Sequence, residues 1–424
     1  MNALKLLLLL LAVLVLGQTT QWPVADQAAL ALGGLIVFAW LWSRLSLRGL
    51  TLERTLTADR AQVGGVVREQ IVLRNTGRLG KLWLEAADRS TLPGHAAGRA
   101  LHVRGRSSAA WEVVTPCVRR GRYRLGPMML RGGDPLGIFP ARLTAPDAHD
   151  VVVYPAMVPL PDAPAPVAAL DGGVTQDRRT QNVTPSIAGV RDYTPGDAYN
   201  RISWSQTARR GRLMVKEFDR DQTADVWLVL DLDRAVHLPA DRRPRLEPDA
   251  AGVWPIEAWL DSTEEYAVAI AASLAHHFLS EGRNVGLIAT GAHLEIQTLD
   301  RGDRQLVKML ESLAVVTADG HSPLAEMLLA EGRRFTRQAG LVAITPSTDD
   351  RWVGALSELA ARGVRTSAVV VEPSTFGDAP PSLLAVSALL AAAIPTQLVK
   401  YGDRLAATLS AAASSNPVGQ MRRR

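Results

Sequence analysis

The sequence predicts a multidomain protein with an N-terminal transmembrane helical hairpin, a small β-sandwich-like domain and a doubly wound α/β domain. Three observations support this order. Two apolar runs come first, short alternating strands and turns follow, and apolar strands then alternate with amphipathic helices. The predicted boundaries are 1–48 for the hairpin, 49–160 for the β-sandwich-like domain, 161–223 for a linker and motif block, 224–410 for the α/β domain and 411–424 for a disordered basic tail.

Composition excludes several classes of protein. Hydrophobic residues make up 47% and charged residues 21%, which is ordinary for a globular chain and excludes a disordered or fibrous protein. The single cysteine, Cys117, excludes an intramolecular disulfide and a cysteine-based zinc site. A formal charge of +5 on 424 residues is too small to indicate nucleic-acid binding, so we predict no nucleic-acid partner.

Two apolar runs near the N-terminus predict the membrane hairpin. They are Leu6–Leu16 and Ala28–Trp42, separated by the polar stretch Gln18–Pro23. Each run is shorter than the roughly 20 residues that a spanning helix needs, but with their ends Asn2–Gly17 and Trp22–Trp42 can each cross. A cleaved signal peptide for the first run and two buried core helices are the alternatives.

The charges that flank these runs predict the orientation. Lys5 precedes the first run, and Arg44, Arg48 and Arg54 follow the second. Because cytoplasmic flanks carry an excess of Lys and Arg, we predict an inner-membrane location with the soluble domains facing the cytoplasm. Aromatic interface anchors are expected at such positions, and the candidates are Trp22, Trp40 and Trp42.

Short alternating segments predict the β-sandwich-like domain. Leu52–Leu56 and Val67–Leu73 alternate apolar and polar residues, Gly- and Pro-containing turns follow at regular spacing, and helical periodicity is absent. The segment Arg99–Arg131 holds eight arginines. This stripe is either a solvated face or a surface for anionic lipid headgroups.

The C-terminal half predicts a parallel sheet covered by helices. Val226–Leu232 is a continuous apolar strand of the kind buried on both faces of a parallel sheet. Ser262–Ser280 has an N-terminal cap, acidic residues in its first turn and one apolar face, and therefore predicts a helix. Further predicted strands are Val285–Thr290, Leu341–Thr345, Thr366–Val371 and Thr396–Lys400, and further predicted helices are Arg304–Leu313, Leu324–Phe335, Leu356–Arg362 and Leu383–Ala393.

A dense block of ions and aromatics precedes the α/β domain. Its turn Thr194–Asp197 predicts a helix over Tyr199–Ala208, capped by Asp197, with Trp204 packed beneath it. Two functions are open: a salt-bridged clamp between domains, or a docking surface for an acidic partner. The candidate residues are Arg191, Tyr193, Gly196, Asp197, Arg201, Trp204, Arg209, Arg210, Lys216 and Glu217.

Carboxylates follow the first strand of the predicted α/β sheet. Asp231 and Asp233 stand directly after Val226–Leu230 in the chain. Ligands of such sheets bind outside the carboxyl ends of the strands, and a hard divalent cation prefers oxygen ligands. The chain has no Walker loop, G-x-G-x-x-G, H-E-x-x-H or G-x-S-x-G motif, so we predict no catalytic residue.

Three segments carry a resemblance to a known family. Arg119–Pro127, Asp134–Phe139 and Arg191–Glu217 resemble the domain-of-unknown-function family 58, whose members are bacterial membrane proteins with a von Willebrand factor A-like domain. The resemblance implies a von Willebrand factor A-like fold for the α/β domain. It also implies association with MoxR-type AAA+ ATPases.

The resemblance also implies where a metal site would lie. Asp231 matches the first aspartate of the family's Mg²⁺ motif, whereas Asp233 stands where a serine is expected. Ser322 takes the place of the threonine, and Asp349 lies beyond the place of the last aspartate. Because most positions depart from the motif, we predict no cofactor, with Mg²⁺ as the candidate ion.

These observations together predict a function without covalent catalysis. We predict a membrane-anchored adaptor or assembly factor that binds an AAA+ ATPase of MoxR type and a protein client. The first alternative is a metal-dependent hydrolase that uses Asp231, Asp233 and Asp349. The second is a structural envelope protein without an ATPase partner.

Overall fold

A computed structural model divides the chain into two compact units. Unit 1 contains residues 1–158, 242–272 and 308–317, and unit 2 contains residues 159–241, 273–307 and 318–424. The predicted tail 411–424 and much of the predicted linker lie outside the described residues. The structure describes residues 2–20, 22–160, 187–194, 202–218, 225–242, 246–248, 254–291, 293–337 and 339–410.

Unit 1 begins with two apolar helices that pack against each other. Helix α1 spans Asn2–Thr20 and helix α2 spans Pro23–Ser46. A Cβ atom added at Gly17 would lie 2.6 Å from Asp26 Oδ1, so the two helices approach closely next to their connection. By length and composition α2 can cross a membrane, whereas the apolar part of α1 is shorter. A membrane-anchoring helix is therefore supported, and the second crossing of the hairpin stays a prediction.

The next part of unit 1 is rich in strands, as predicted, and is named here the β-domain. Its sheets have the orders β1–β3–β6, β2–β10–β7 and β5–β4–β8–β9, and neighbours are antiparallel except β2 and β10. The strands are β1 Leu50–Leu56, β2 Arg60–Gln62, β3 Val66–Asn75, β4 Lys81–Asp88, β5 Arg99–Val103, β6 Ser107–Pro116, β7 Gly121–Leu125, β8 Met128–Gly133, β9 Pro140–Ala145 and β10 His149–Tyr154.

Two of these sheets share one apolar core. Ile71 and Trp111 from the first sheet pack with Leu84 and Leu130 from the third, and all four side chains are buried. The period-two burial of β3 explains why: alternate residues such as Ile71 point inward, while Arg68 and Arg74 face solvent. The strand-rich character of residues 49–160 is thereby confirmed.

The carboxyl end of α2 is attached to the β-domain. Lys81 Nζ donates a hydrogen bond to the carbonyl oxygen of Leu45. Gly132 lies so close to the chain after α2 that an added Cβ would stand 3.2 Å from Leu47 Cδ2. A side chain at position 132 would therefore disturb this junction.

Four ionisable side chains form a buried ion cluster in the β-domain. Arg54 Nε lies 3.1 Å from Glu69 Oε2, and Arg54 Nη2 lies 2.9 Å from Asp88 Oδ1. His95 Nε2 lies 2.9 Å from Asp88 Oδ2, while its Nδ1 is 2.8 Å from Thr115 Oγ1. Arg54, counted above as a flanking membrane charge, is thus enclosed by carboxylates in the folded protein.

The arginine stripe of the β-domain is not uniformly solvated. Arg120 is buried, and within unit 1 its Nη2 donates hydrogen bonds to Glu264 Oε1 at 2.6 Å and to the carbonyl oxygen of Val316 at 2.8 Å. Its Nη1 pairs with Glu265. The interpretation of the stripe as one solvated face is therefore wrong at Arg120.

Unit 2 contains a six-stranded sheet. Its order is β15–β14–β13–β16–β17–β18, and it is parallel except for the antiparallel edge strand β15. An α/β domain is consistent with the predicted class. The strands are β13 Val226–Leu230, β14 Val285–Thr290, β15 Leu294–Asp300, β16 Gly340–Thr345, β17 Arg365–Val371 and β18 Thr396–Val399, preceded by the separate antiparallel pair β11 Ile187–Asp192 and β12 Met214–Phe218.

The continuous apolar strands occupy the middle of this sheet. Every residue of β13, β14 and β16 is buried, which matches the prediction from the Val226–Leu232 run. Strand β15 was not predicted, because an edge strand is only partly covered and its sequence carries no strong apolar pattern. The α-helices that follow α2 in the described part of the chain are α3 Trp204–Arg210, α4 Thr263–Ser280, α5 Asp303–Val315, α6 Leu324–Ala330, α7 Arg351–Ala361, α8 Leu383–Ala391 and α9 Leu405–Ser410.

Candidate functional site

The motif block folds as an antiparallel ribbon with a short helix in its connection. Strands β11 and β12 pair, and α3 lies between them in the chain. The helix begins at Trp204 rather than at the predicted Tyr199, because Ile202 already pairs with Val215 in an extended bridge. The predicted residues Gly196, Asp197 and Arg201 lie outside the described residues.

Hydrogen bonds attach α3 to β12. The amide of Met214 donates to Thr207 Oγ1 at 3.0 Å, and the amide of Ser203 donates to the carbonyl oxygen of Met214 at 2.8 Å. Gly211 ends the helix with φ +67°, a left-handed conformation that glycine adopts without strain. The helix is therefore fixed by its backbone and by Thr207.

Most other side chains of α3 face solvent. Trp204 is 67% exposed, so the prediction that it packs beneath the helix is wrong. Arg209 and Arg210 are also exposed, as docking residues would be, and none of the seven α3 residues is buried. Arg212 Nη1 pairs with Asp192 Oδ2 at 3.1 Å, but both side chains are largely exposed.

The remaining block residues belong to the ribbon itself. Tyr193 is partly buried, and its amide donates to the carbonyl oxygen of Leu213 at 2.9 Å. Arg191 pairs through its backbone with Val215. Lys216 and Glu217 lie on β12 opposite β11. The ribbon thus brings the two ends of the block together and presents α3.

A second candidate place lies at the carboxyl end of the parallel sheet. Asp231 follows β13, whose neighbours are β14 and β16. The chain proceeds from β13 to β14 on one side and later fills β16, β17 and β18 on the other, so the strand order reverses beside β13. Such a reversal is where open α/β sheets form their ligand crevice.

Both carboxylate oxygens of Asp231 are engaged by its own unit. Thr345 Oγ1, at the end of β16, donates to Asp231 Oδ2 at 2.6 Å, and the amide of Asp233 donates to Asp231 Oδ1 at 3.1 Å. Burial raises the pKa of Asp231 to about 6, although these two hydrogen bonds oppose the increase. Burial therefore disfavours the ionised form of Asp231, and its two hydrogen bonds only partly compensate.

The other predicted metal ligands do not join Asp231. Asp233 Oδ1 accepts a hydrogen bond from the amide of Ala235 at 3.0 Å. Ser322 is exposed, and Asp349 pairs with Arg351, which lowers the pKa of Asp349. Within the part of the chain that the structure describes, no three His, Cys, Asp or Glu residues form a group that can hold a metal. These residues do not fit a Mg²⁺ site of the predicted composition.

Two threonines that the sequence did not single out hold this segment: Thr345 bonds the Asp231 carboxylate, and Thr290 bonds the neighbouring backbone. Thr345 and Thr290 each end a buried strand next to β13, and Thr290 Oγ1 accepts from the amide of Leu232 at 3.1 Å. In the sequence, the only indication of these contacts was a single threonine at the end of each of two apolar strands. That signal identifies a partner only when the order of strands in the sheet is known.

Comparisons with known proteins give one family and one curated relative. Residues 189–245 match the model of the family described as "Protein of unknown function DUF58", a segment that holds both α3 and Asp231. The "Uncharacterized protein YeaD" of Bacillus subtilis (strain 168) is 24% identical over 318 residues, which is 73% of each chain.

Two solved structures show only weak likeness. BatB from Bacteroides thetaiotaomicron is 14% identical, with a TM-score of 0.31 over 47% of this chain and 98% of that one. The CARDB domain of PF1109 from Pyrococcus furiosus is also 14% identical, with a TM-score of 0.19 over 25% and 94%. Scores this low do not establish a shared fold. Residues 189–245 therefore resemble the DUF58 family, and the similarity to YeaD extends over 73% of the chain.

Proposed function

We propose that the protein is a membrane-anchored adaptor that binds an acidic segment of a partner protein through α3. The observation that carries this proposal is the exposure of Trp204, Arg209 and Arg210 on a helix that buries none of its residues. Tryptophan and arginine dominate binding energy at many protein interfaces, and arginine pairs bidentately with carboxylates. Since a large exposed indole is disfavoured in water, a partner surface accounts for it.

The resemblance stated above suggests the partner. Members of the family are associated with MoxR-type AAA+ ATPases, so we assign the acidic segment to such an ATPase. The protein client would then bind the complex of the adaptor and the ATPase. The six-stranded sheet is then a von Willebrand factor A-like domain that binds partners without a metal. Its strand order, with Asp231 at the end of a central strand, supports this. A structure determination with a different strand order in unit 2 would contradict it.

Changing Arg209 and Arg210 together to glutamate tests the proposed surface. We expect the melting temperature of the full chain in detergent to stay near the wild-type value, because exposed substitutions usually change stability by less than about 0.5 kcal/mol. Capture of the MoxR-type ATPase in a pull-down should weaken, and more so at low salt, where exposed charges are less screened.

A matched control separates this surface from net charge. Arg301 and Arg304 are exposed residues of the same unit, and changing both to glutamate alters the charge by the same amount. This control should retain capture. Full capture by the Arg209→Glu/Arg210→Glu chain, or an equal loss in the control, would exclude α3 as the docking surface.

The inner-membrane location and cytoplasmic orientation belong to the same proposal. They are supported by α2 and by Arg44 and Arg48 at its carboxyl end; the guanidinium of Arg44 lies 5.5 Å from the Trp40 ring centroid. A reporter that is active only in the periplasm, fused after Arg424, is expected to stay silent. Strong reporter activity would reverse the assigned orientation.

A further inference from the structure

Strand β4 opens with a bulge that turns two apolar side chains outward. The pairing of β4 with β5 shifts register between Lys81 and Leu84. As a result Leu82 is 51% exposed and Trp83 is 85% exposed. A bulge of this kind re-aims side chains that regular pairing would place on alternate faces.

The backbone at Trp83 is strained. Its φ angle is +59°, in the left-handed region that residues other than glycine, asparagine and aspartate rarely adopt. Inside the β-domain nothing covers the indole that would offset this strain, since most of its surface is open. Strained backbone held at an exposed bulky residue points to an interaction outside the folded unit.

The loop that follows β8 presents a third exposed apolar side chain. Asp134 is buried and accepts hydrogen bonds from the amides of Leu136 at 3.0 Å, Ile138 at 3.2 Å and Phe139 at 2.6 Å. These bonds fix the loop while Leu136 remains 53% exposed. The Asp134–Phe139 motif is therefore a rigid support for an exposed leucine.

Both features border the same cleft as the carboxyl end of α2. Trp42 of α2, Leu82 and Trp83 of the bulge, and Pro135 and Phe139 of the loop line one cleft of about 230 Å³. All of these residues belong to unit 1, and α2 is attached to the β-domain by the Lys81 hydrogen bond described above. The bulge and the loop therefore lie beside Trp42.

The length of α2 places this cleft at the edge of the bilayer. The hydrocarbon core is about 30 Å thick and takes about 20 residues of helix. Counted from Pro23, this length ends at Trp42, which is half-buried and precedes the exposed Arg44. Tryptophans concentrate at the headgroup level, where the ring is in an apolar region and its N–H remains hydrated.

We propose that Leu82, Trp83 and Leu136 form a membrane-interface surface that docks the β-domain onto the lipid headgroup region where α2 leaves the bilayer. The occupant is lipid, because the surface is continuous with the membrane helix and carries the residue types found at interfaces. This surface shares no residue with α3, and the proposal does not depend on an ATPase partner. It holds the β-domain against the membrane.

Depth-dependent fluorescence quenching tests this surface in the full chain. Trp83→Cys is labelled with nitrobenzoxadiazole and reconstituted in vesicles in which some lipids carry a spin label near the top of the acyl chain. We expect at least about twofold quenching of the label relative to unlabelled lipid, as for a group at headgroup level. Cys117 is buried and burial raises the pKa of its thiol, so it competes little for the label; the unaltered chain is the blank.

Arg89 provides the matched control. It is exposed and follows the other end of β4, roughly 20 Å from Trp83 at about 3.3 Å per residue. The label on Arg89→Cys should be quenched little. Leu82→Cys repeats the measurement in case Trp83→Cys does not fold.

Three results would overturn the proposal. Equal quenching at positions 83 and 89 would show no specific surface. Protection of position 83 from aqueous iodide without quenching by the lipid spin label would identify a protein occupant instead. A chain that does not float with the vesicles would remove the membrane helix on which the continuity argument rests.

Discussion

Replacing Arg54 with leucine is expected to lower the free energy of unfolding by about 3–5 kcal/mol, because two buried carboxylates lose their principal counter-ion. The side chains of Arg54 and Glu69 are fully enclosed, and that of Asp88 nearly so. Burial raises the pKa of Glu69, and the charges of Arg54 and His95 offset only part of that increase. In the variant, Glu69 and Asp88 both lose their ion pair with Arg54. Urea unfolding of the full chain in detergent, followed by near-ultraviolet circular dichroism, measures the loss.

An exposed pair in the same domain supplies the control for Arg54. Arg74 Nη2 lies 3.3 Å from Glu53 Oε2, and both side chains are 57% exposed. Arg74→Leu removes the same charge from a neighbouring strand, yet it should cost no more than about 1 kcal/mol, as surface pairs do. Similar losses in the two variants would mean that the ion cluster is hydrated in solution and contributes little to the β-domain.

Sequence patterns could predict the interior of unit 2 but not the ion cluster of unit 1. A run such as Val226–Leu230 is apolar throughout because both faces of its strand are covered, so the sequence records the burial directly. Arg54 instead stands in an alternating strand, where a charged residue normally faces solvent. Its partners Asp88 and His95 lie on other parts of the chain, and nothing local links them.

The exposure of two tryptophans was equally difficult to predict from local sequence. The helical pattern of the motif block predicted that Trp204 packs beneath its helix, but no residue of the short helix α3 is buried. Trp83 carried no signal at all, since its exposure comes from a register shift between β4 and β5. Such shifts depend on the pairing of distant strands and cannot be derived from the alternation of one segment.

The sequence predicts where the candidate metal site lies in the sheet, but it does not predict which side chains contact Asp231. The sequence placed Asp231 correctly after the strand that lies at the switch point. Its partner Thr345 is 114 residues away and becomes a neighbour only because β16 pairs with β13. The charge of Asp231 is therefore an internal feature of the sheet, with a consequence for stability that can be measured.

Asp231→Asn is expected to become more stable relative to the wild type as the pH rises from 4 to 8. The folded-state pKa of Asp231 is about 6, above its ordinary value of 3.8, so the folded protein binds this proton more tightly than the unfolded chain does. For a carboxyl group with a raised pKa, the stabilisation is present below pH 4, falls between pH 4 and 6, and is absent above pH 6. At 1.36 kcal/mol per pKa unit the change is about 3 kcal/mol.

The substitution itself costs a constant amount, because asparagine cannot accept hydrogen bonds from both Thr345 and the amide of Asp233, and this cost does not vary with pH. The pH trend of the difference between variant and wild type therefore isolates the charge. Asp349→Asn is the control. Arg351 lowers the pKa of Asp349, so the stabilisation from the ionised Asp349 is lost only below about pH 4. The stability difference between this variant and the wild type should therefore stay flat from pH 4 to 8.

Adding 1 mM Mg²⁺ at pH 8 tests the metal site directly. An ion bound with a Kd of about 10 μM would stabilise the wild type by about 2.7 kcal/mol and the variant not at all, whereas we expect no change in either. A flat pH difference for Asp231→Asn would show that the carboxylate is solvated, and a Mg²⁺ shift confined to the wild type would restore the metal site.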